Sequence, residues 1–584
     1  MDAFEILHNR IDLTDIPFSE RGSRLLIFRQ TNMLYIRLAE RWTKLEADVG
    51  HYRKRAPMID RLRILNSQKE EVPFQAETYP HRVDLSFDIG SFRLIFLDAE
   101  TILFRLPEGT YTISFEVMAK GGLADRRGGR FNGVRNIAYT TNANILQNDV
   151  QTIDAKYYRV NLELNARDGD LFMLNITPRM GFNRSLPLFD TALKQAETRL
   201  REWFDVVPPV NEMDRFQYYY AWWIMRQGLL NSRFYFTREA LVPSKIHYVG
   251  VWHWDQFFHA IAFRHVDTKL AEDQLRILLD HQQPNGLIPD AVHDEGIITH
   301  LNIPVDADVT KPPLLAWAAL KIFETSGNHD FLEEIFDSVV RWHQWWTRDN
   351  YDEATGLCVY HHPFSSGLDD SPLWDEGMPV VAPDLNTYMW LQSKSIGHIA
   401  NLIGEPSAEY YELADHFANN MVKHLWDEKL GAFQALHQGK PVNVFTLFHL
   451  LPLWVDTLPQ TMQNRMLNHL TNPDQFWTTY PLATVSLQDP KFDPMQMWRG
   501  PSWVNINYLF VEILMNIGHY DLAHQLRDRS IAFMQKHHDI YEYYNPVTGE
   551  RPPKSAPIFG WTSAVYIDLA IQHARELALV NNER

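Results

Sequence analysis

Two acidic segments in this chain are set among aromatic rings and turn-forming glycines: Ser366-Gly367-Leu368-Asp369-Asp370-Ser371-Pro372 and Tyr541-Glu542-Tyr543-Tyr544-Asn545-Pro546-Val547-Thr548-Gly549. Two carboxyl groups facing each other in an aromatic-walled cleft are what hydrolysis of a glycosidic bond requires, one on each side of the sugar. Asp369 and Glu542 are the candidates for that pair. Asx turns would also explain an Asp-Asp-Ser-Pro string, and a loop glutamate is commonly solvated. Against the second alternative, Tyr541, Tyr543 and Tyr544 surround Glu542. In favour of chemistry at the first segment, Asp369 and Asp370 are adjacent, so the charge of one can raise the pKa of the other. A general acid working near neutral pH needs that.

Other segments repeat the mixture of Trp, Asp, Gly and Pro. Val251-Trp252-His253-Trp254-Asp255 precedes a helical stretch, where Asp255 serves either as a helix cap or as a ligand for sugar hydroxyls between Trp252 and Trp254. Gln282-Gln283-Pro284-Asn285-Gly286 is a turn that would shape the site, with Gln282 among the substrate-facing residues. Lys311 stands before Pro312-Pro313 at a helix start, as a surface lysine or a substrate contact. Trp498-Arg499-Gly500-Pro501 opens another helix. There Arg499 is either structural or a partner that keeps a catalytic carboxylate ionised. Phe559-Gly560-Trp561 begins the last helix. The substrate-binding candidates are Trp252, Trp254, Asp255, Gln282, Lys311, Asp370, Trp498, Arg499, Gly500 and Trp561.

Two regions must position these residues. Up to residue 185 the pattern alternates with period two, as in Tyr111-Thr112-Ile113-Ser114-Phe115-Glu116-Val117 and Asp170-Leu171-Phe172-Met173-Leu174-Asn175-Ile176, which predicts an all-β, antiparallel sandwich. Residues 186–210 read as a linker helix ended by Pro208-Pro209. From 211 to 584 the period is helical, with candidates near 212–231, 255–265, 268–282, 311–326, 330–348, 384–403, 407–425, 442–451, 458–470, 501–517, 519–537 and 560–577. Paired helices with one set of long Gly/Pro/aromatic loops predict an (α/α)6 barrel. No fixed repeat supports a stacked-helix solenoid.

Composition narrows the ligand. The net charge of −18 argues against nucleic acid and suits a small neutral substrate. One cysteine, Cys358, excludes an intramolecular disulfide framework and a cysteine-based zinc site. No calcium-loop motif occurs, so no metal and no cofactor are expected. The N-terminal stretch has no basic start and no apolar run, and nothing approaches a membrane span. The expected location is the cytoplasm.

Taken in order, Trp254-Asp255, Ser366-Gly367-Leu368-Asp369, Asp384-Leu385-Asn386, Trp498-Arg499-Gly500-Pro501 and Glu542…Asn545-Pro546…Thr548-Gly549…Gly560-Trp561-Thr562-Ser563 resemble the catalytic domain of glycoside hydrolase family 63. A weaker likeness is to the family 37 trehalases. The resemblance implies an (α/α)6 barrel and an inverting hydrolase of α-linked glucosides, or of mannosyl- or glucosylglycerate. It puts the general acid on Asp369 and the general base on Glu542. One departure stands out: Ser365 occupies a position where many relatives carry Glu, which should change the space or polarity beside the sugar. The expected activity is an exo-acting α-glycosidase, first of all an α-glucosidase. The rivals are a phosphorylase, which would want a basic cluster in place of Glu542, and a non-catalytic sugar-binding protein, which could lose either carboxylate.

Overall fold

The computed structural model describes residues 2–40 and 56–582. The chain divides into two compact units. The first comprises Met1–Val207 with Arg226–Asn231 and Lys245–Val249; the second comprises Pro208–Met225, Ser232–Ser244 and Gly250–Arg584.

The first unit holds two antiparallel sheets. One runs Leu25–Gln30, Met33–Leu38, Ile59–Leu65, Gly109–Met118, Tyr157–Ala166, Asn144–Thr152. The other runs Phe74–Tyr79, Arg82–Phe87, Gly90–Asp98, Thr101–Arg105, Leu171–Thr177, Asn136–Thr141, Gly128–Asn132, Gly121–Asp125. Their inner faces meet through rings: Phe92 lies 5.3 Å from Tyr111, and Phe115 lies 5.5 Å from Tyr139 and 6.1 Å from Phe172. The alternation along Gly109–Met118 therefore sends one side of the strand into a shared apolar layer. The segment expected as a linker helix is Phe189–Asp205. Phe189 and Ala192 pack into a cluster with Ile95, Leu103, Leu171 and Met173. It is thus a packed element of the first unit, because its apolar stripe finds a sheet face to cover.

The second unit is helical. His253–Phe263, Leu315–Ser326, Pro383–Ile403, the 3-10 helix Leu447–Trp454, Val504–Asn516 and Gly560–Asn582 each pack on the next, and the last packs on the first. Thr268–Leu279, His329–Asp349, Ala408–Leu425, Gln460–Leu470 and Tyr520–Met534 alternate with them in sequence and pack against them. The helices of the first series are buried almost all round; His253–Phe263 has no exposed position. Those of the second series are one-sided, as in His329–Asp349, whose buried residues recur at Phe331, Ile335, Val339, Trp342 and Trp346. The helix expected over 442–451 is instead a 3-10 element at Leu447–Trp454 with Pro452 inside it. Proline removes an amide donor and disfavours regular α-helix there.

Candidate active site

His253–Phe263 carries the first group. Trp252 occupies its N-cap without a side-chain cap bond, so Asp255 lies within the first turn and is not a cap. Asp255 is 5% exposed, and burial raises its pKa well above the usual carboxylate range. Lys311 opposes that rise, while the charges of Glu542 and Asp369 add to it. The environment of one side chain thus brings together residues from four distant segments.

Asp369 follows a short 3-10 turn, Pro363–Ser366, closed by Gly367 in the left-handed region at φ 74°. Two constraints demand glycine. The conformation favours it, and a Cβ would stand 2.5 Å from Cζ2 of Trp254. The loop carrying Asp369 is therefore seated directly on the Trp254 indole, next to Asp255 in the chain. Beyond it, the Trp374 indole donates to the Leu368 carbonyl at 2.7 Å. The two oxygens of Asp369 differ. Oδ1 is enclosed, makes no hydrogen bond and lies 3.8 Å from Lys311 Nζ, whereas the side chain as a whole is 36% accessible. Its open face is therefore on the Oδ2 side. Burial of the carboxyl pushes its pKa up to about 7, against the pull of Lys311 and with help from Asp290 and Asp370.

Glu542 is 3% exposed and lies at a bend two residues before the bridge residue Tyr544. Its amide donates to the Ala556 carbonyl at 2.9 Å, and the Ala556 amide donates to Oε2 at 3.1 Å. The next-but-one residue, Tyr544, exchanges backbone hydrogen bonds with Ser502 at 2.8 and 3.0 Å. Glu542 is thereby held beside the start of Val504–Asn516 and is not a solvated loop residue.

The aromatic rings form one buried cluster behind the site. Trp254 stands 5.4 Å from Trp561 and 6.1 Å from Trp498; Trp498 stacks on Trp503 at 3.7 Å; Trp503 lies 4.8 Å from Tyr543. Trp254, Trp498 and Trp561 thus belong to one cluster. Trp252 stands on the strand Val251–Trp252, 5.2 Å from His293.

Several candidates take other roles. Both carboxylate oxygens of Asp370 are engaged, by Gln496 Nε2 at 3.1 Å and the Trp498 amide at 2.8 Å, so Asp370 clasps the 496–498 segment and does not face a sugar. Arg499 makes a bidentate pair with Asp375 at 2.9 and 2.8 Å; its partner is neither Asp369 nor an adjacent catalytic group. Gln282 donates to the Gly286 and Ser338 carbonyls and accepts from Arg341, which exhausts its amide in bracing a turn. Gly500 allows close approach to the Asp493 carbonyl, which a Cβ would meet at 2.6 Å. Ser365 is 3% exposed, and its Oγ accepts from the Thr310 amide at 3.3 Å, so it adds no open space.

Lys311 is buried, not on the surface. Its ammonium lies 2.9 Å from Asp290 Oδ1 and donates to the Phe364 carbonyl at 2.6 Å. Sequence reasoning missed Asp290, Trp374 and Trp503. Asp290 follows a Pro in a turn, where an aspartate is ordinary, and only the fold brings it to Lys311. Among the described residues no cluster of His, Cys, Asp and Glu suits a metal ion, and no helix is long and apolar enough to cross a membrane.

The family model of the mannosylglycerate hydrolase MGH1-like glycoside hydrolase domain matches residues 248–562, more than half of the chain. The chain is similar to a mannosylglycerate hydrolase of Thermus thermophilus, 26% identical over 416 residues that cover 57% of this chain and 96% of the relative. It is also similar to a glucosylglycerate hydrolase of Mycolicibacterium hassiacum, 24% identical over 415 residues covering 55% and 92%. A crystal structure of a GH63 mannosylglycerate hydrolase from Thermus thermophilus in complex with glucose aligns with a TM-score of 0.53 at 23% identity, covering 60% of this chain and 98% of that one. This last likeness concerns the fold.

Proposed function

We propose a reaction from the premise that this chain belongs to the mannosylglycerate hydrolase MGH1-like glycoside hydrolase family and is a glycosidase. The reaction is inverting, exo-acting hydrolysis of a small α-linked glycoside, with α-glucosides first, on an (α/α)6 barrel. The ring order of the alternate helices supports the barrel. The observation that carries the chemistry is Asp369: a carboxyl raised to about 7, with one oxygen shut in and the other side open. Such a group holds a proton near neutral pH and can offer it to a glycosidic oxygen. Glu542 takes a proton from a water attacking the opposite face of the sugar. Asp255, whose pKa burial raises well above the usual carboxylate range, grips the sugar through its hydroxyls.

Neutral aglycones are favoured because Lys311 and Arg499 are committed to Asp290 and Asp375. The second reading, a glycosylglycerate hydrolase, is favoured by the names of the relatives. One experiment separates them. α-Glucosylglycerate, α-mannosylglycerate and a panel of α-linked disaccharides are incubated with the enzyme, and the released sugar is followed by proton NMR. The β-anomer should appear first, and no internal oligosaccharide should leave an α-glucan. An α-anomer appearing first would overturn the inverting mechanism. Asp369→Asn and Glu542→Gln should each lower turnover by about 10²-fold or more.

A further inference from the structure

Lys311 is poorly placed to touch a substrate. It is 3% exposed, and its nearest contacts are the Phe364 carbonyl at 2.6 Å, Asp290 Oδ1 at 2.9 Å and Asp369 Oδ1 at 3.8 Å. Its backbone is fixed on both sides. Thr310 donates through Oγ1 to the Ile288 carbonyl at 2.7 Å and through its amide to Ser365, while Pro312 and Pro313 follow. The ammonium is therefore a fixed charge aimed at the enclosed edge of Asp369.

We propose that Lys311 is a positioning residue for proton transfer: anchored by Asp290 and Phe364, it keeps Asp369 Oδ1 unprotonated, directs the acidic proton to Oδ2, and stabilises the carboxylate that remains. The proposal rests on the reading of Asp369 as the general acid. The proton passes from Oδ2 to the glycosidic oxygen, and the bond between that oxygen and the anomeric carbon breaks, its electron pair staying with the leaving oxygen. The water oxygen bonds to the anomeric carbon and gives a proton to Glu542. Lys311 keeps its protons throughout. A fixed cation where negative charge develops acts without reorganising, which is why such groups favour the transition state more than the ground state.

The surrounding charges agree with this role. Burial alone would push Lys311 down, but Asp290, Asp369 and Asp255 outweigh it and its pKa is raised, so the cation is retained. His253 and His362 also face it, and both are shifted down, by burial first and by Lys311 among the further causes. Asp370 adds to the rise at Asp369 but is turned to Gln496 and Trp498.

The test uses Lys311→Met, Asp290→Asn, the double variant, and two kinds of probe: the disaccharide or glycosylglycerate cleaved in the panel above, and the α-glycosyl fluoride of the same sugar. Fluoride leaves with little need of an acid. Lys311→Met should lower kcat/KM on the glycoside by roughly 10²-fold and on the fluoride by no more than about threefold. The basic limb of the pH profile should move in opposite directions: to higher pH in Lys311→Met, which removes the attraction, and to lower pH in Asp290→Asn, which removes a repulsion. Because Lys311→Met leaves Asp290 buried without its partner, the double variant removes both charges together and must keep the split between the two probes. Equal losses on both probes, or limbs that move together or stay put, overturn the proposal while Asp369→Asn remains impaired on the glycoside alone. A fully active Asp369→Asn enzyme overturns the underlying reading as well.

Discussion

The indole N–H of Trp374 donates to the carbonyl of Leu368 at 2.7 Å, one residue before Asp369. Trp374 is itself packed edge-on against Tyr360 at 5.7 Å, and Tyr360 donates through its hydroxyl to Asp384 at 3.0 Å. The acid loop is thus pinned from behind by a chain of rings ending at the start of Pro383–Ile403. Trp374→Phe keeps most of the packing and removes one hydrogen bond. It should cost about 1 kcal/mol of stability and lower kcat with little change in KM, read by urea unfolding and steady-state kinetics. An unchanged kcat would mean that the loop holds its place without this bond.

Gly367→Ala should be the most damaging small substitution in the region. The added carbon has no room against Trp254 and no relief in the left-handed backbone. Activity should fall by more than in Trp374→Phe, with quenching or shift of tryptophan fluorescence as Trp254 is displaced. Normal activity in a folded Gly367→Ala enzyme would contradict the seating of the loop on that ring.

Activity should decline on the alkaline side as Asp369 loses its proton. With its pKa pushed up to about 7, kcat/KM should fall above roughly pH 7, about tenfold per pH unit once the carboxyl is ionised. The measurement is a pH profile at low substrate concentration; a flat profile to pH 9 would exclude Asp369 as the acid.

Stability should carry an opposite signature to that of ordinary acid denaturation. Burial raises Asp369 and Asp384 to about 7 and Asp539 to about 6. For these groups the folded chain binds more protons than the unfolded chain between about pH 4 and 7, so their contribution is present at low pH and is lost as pH rises through the folded values. Depressed carboxyls such as Asp125 and Asp375, held down first by their arginine partners, act the other way, losing their contribution only at acid pH. Unfolding free energy should therefore fall from pH 5 to pH 8. Asp384→Asn, which keeps an acceptor for Tyr360, should flatten that fall by on the order of 1 kcal/mol or more. An equal slope in wild type and variant would show that Asp384 stays ionised in the folded state.

Asp370→Ala should behave as a scaffold variant. Removing the acceptor of the Trp498 amide and Gln496 should lower the melting temperature by an amount matching roughly 1–3 kcal/mol. Asp370→Asn should recover most of it. A raised KM at unchanged stability would return Asp370 to the substrate-binding set.

Much of this arrangement could be read from residue order. Period-two and helical stretches are local properties, and the apolar faces they predict are the ones that pack. The acidic segments were legible because aromatic residues and glycines accompany them; Trp254, Trp498 and Trp561 share a cluster for the same reason. What sequence could not convey was pairing. Arg499 has several carboxylates within reach in principle, and its bidentate partner is Asp375 because the 372–375 turn brings that group alongside. Gln282 looked available until Arg341 and Ser338 claimed its amide. Lys311 and Asp290 are each ordinary in their own turns, and their meaning comes from contact across the fold.

Asp369 and Asp370 are chain neighbours turned to different partners, one to Lys311 and one to a segment far downstream. Together with Gly367 on Trp254 and Trp374 on Leu368, this fastens the loop at closely spaced points, so an inserted residue between 367 and 375 would pull at least one of them loose. Its length is therefore the part of the site least free to vary. Variation in length is better accommodated at the tip between His300–Leu301 and Ala307–Asp308, where Ile303 is 80% exposed. A chimaera joined between the two acidic segments would have to carry the 491–499 stretch with its own 367–375 loop, or lose the bonds that tie the two together.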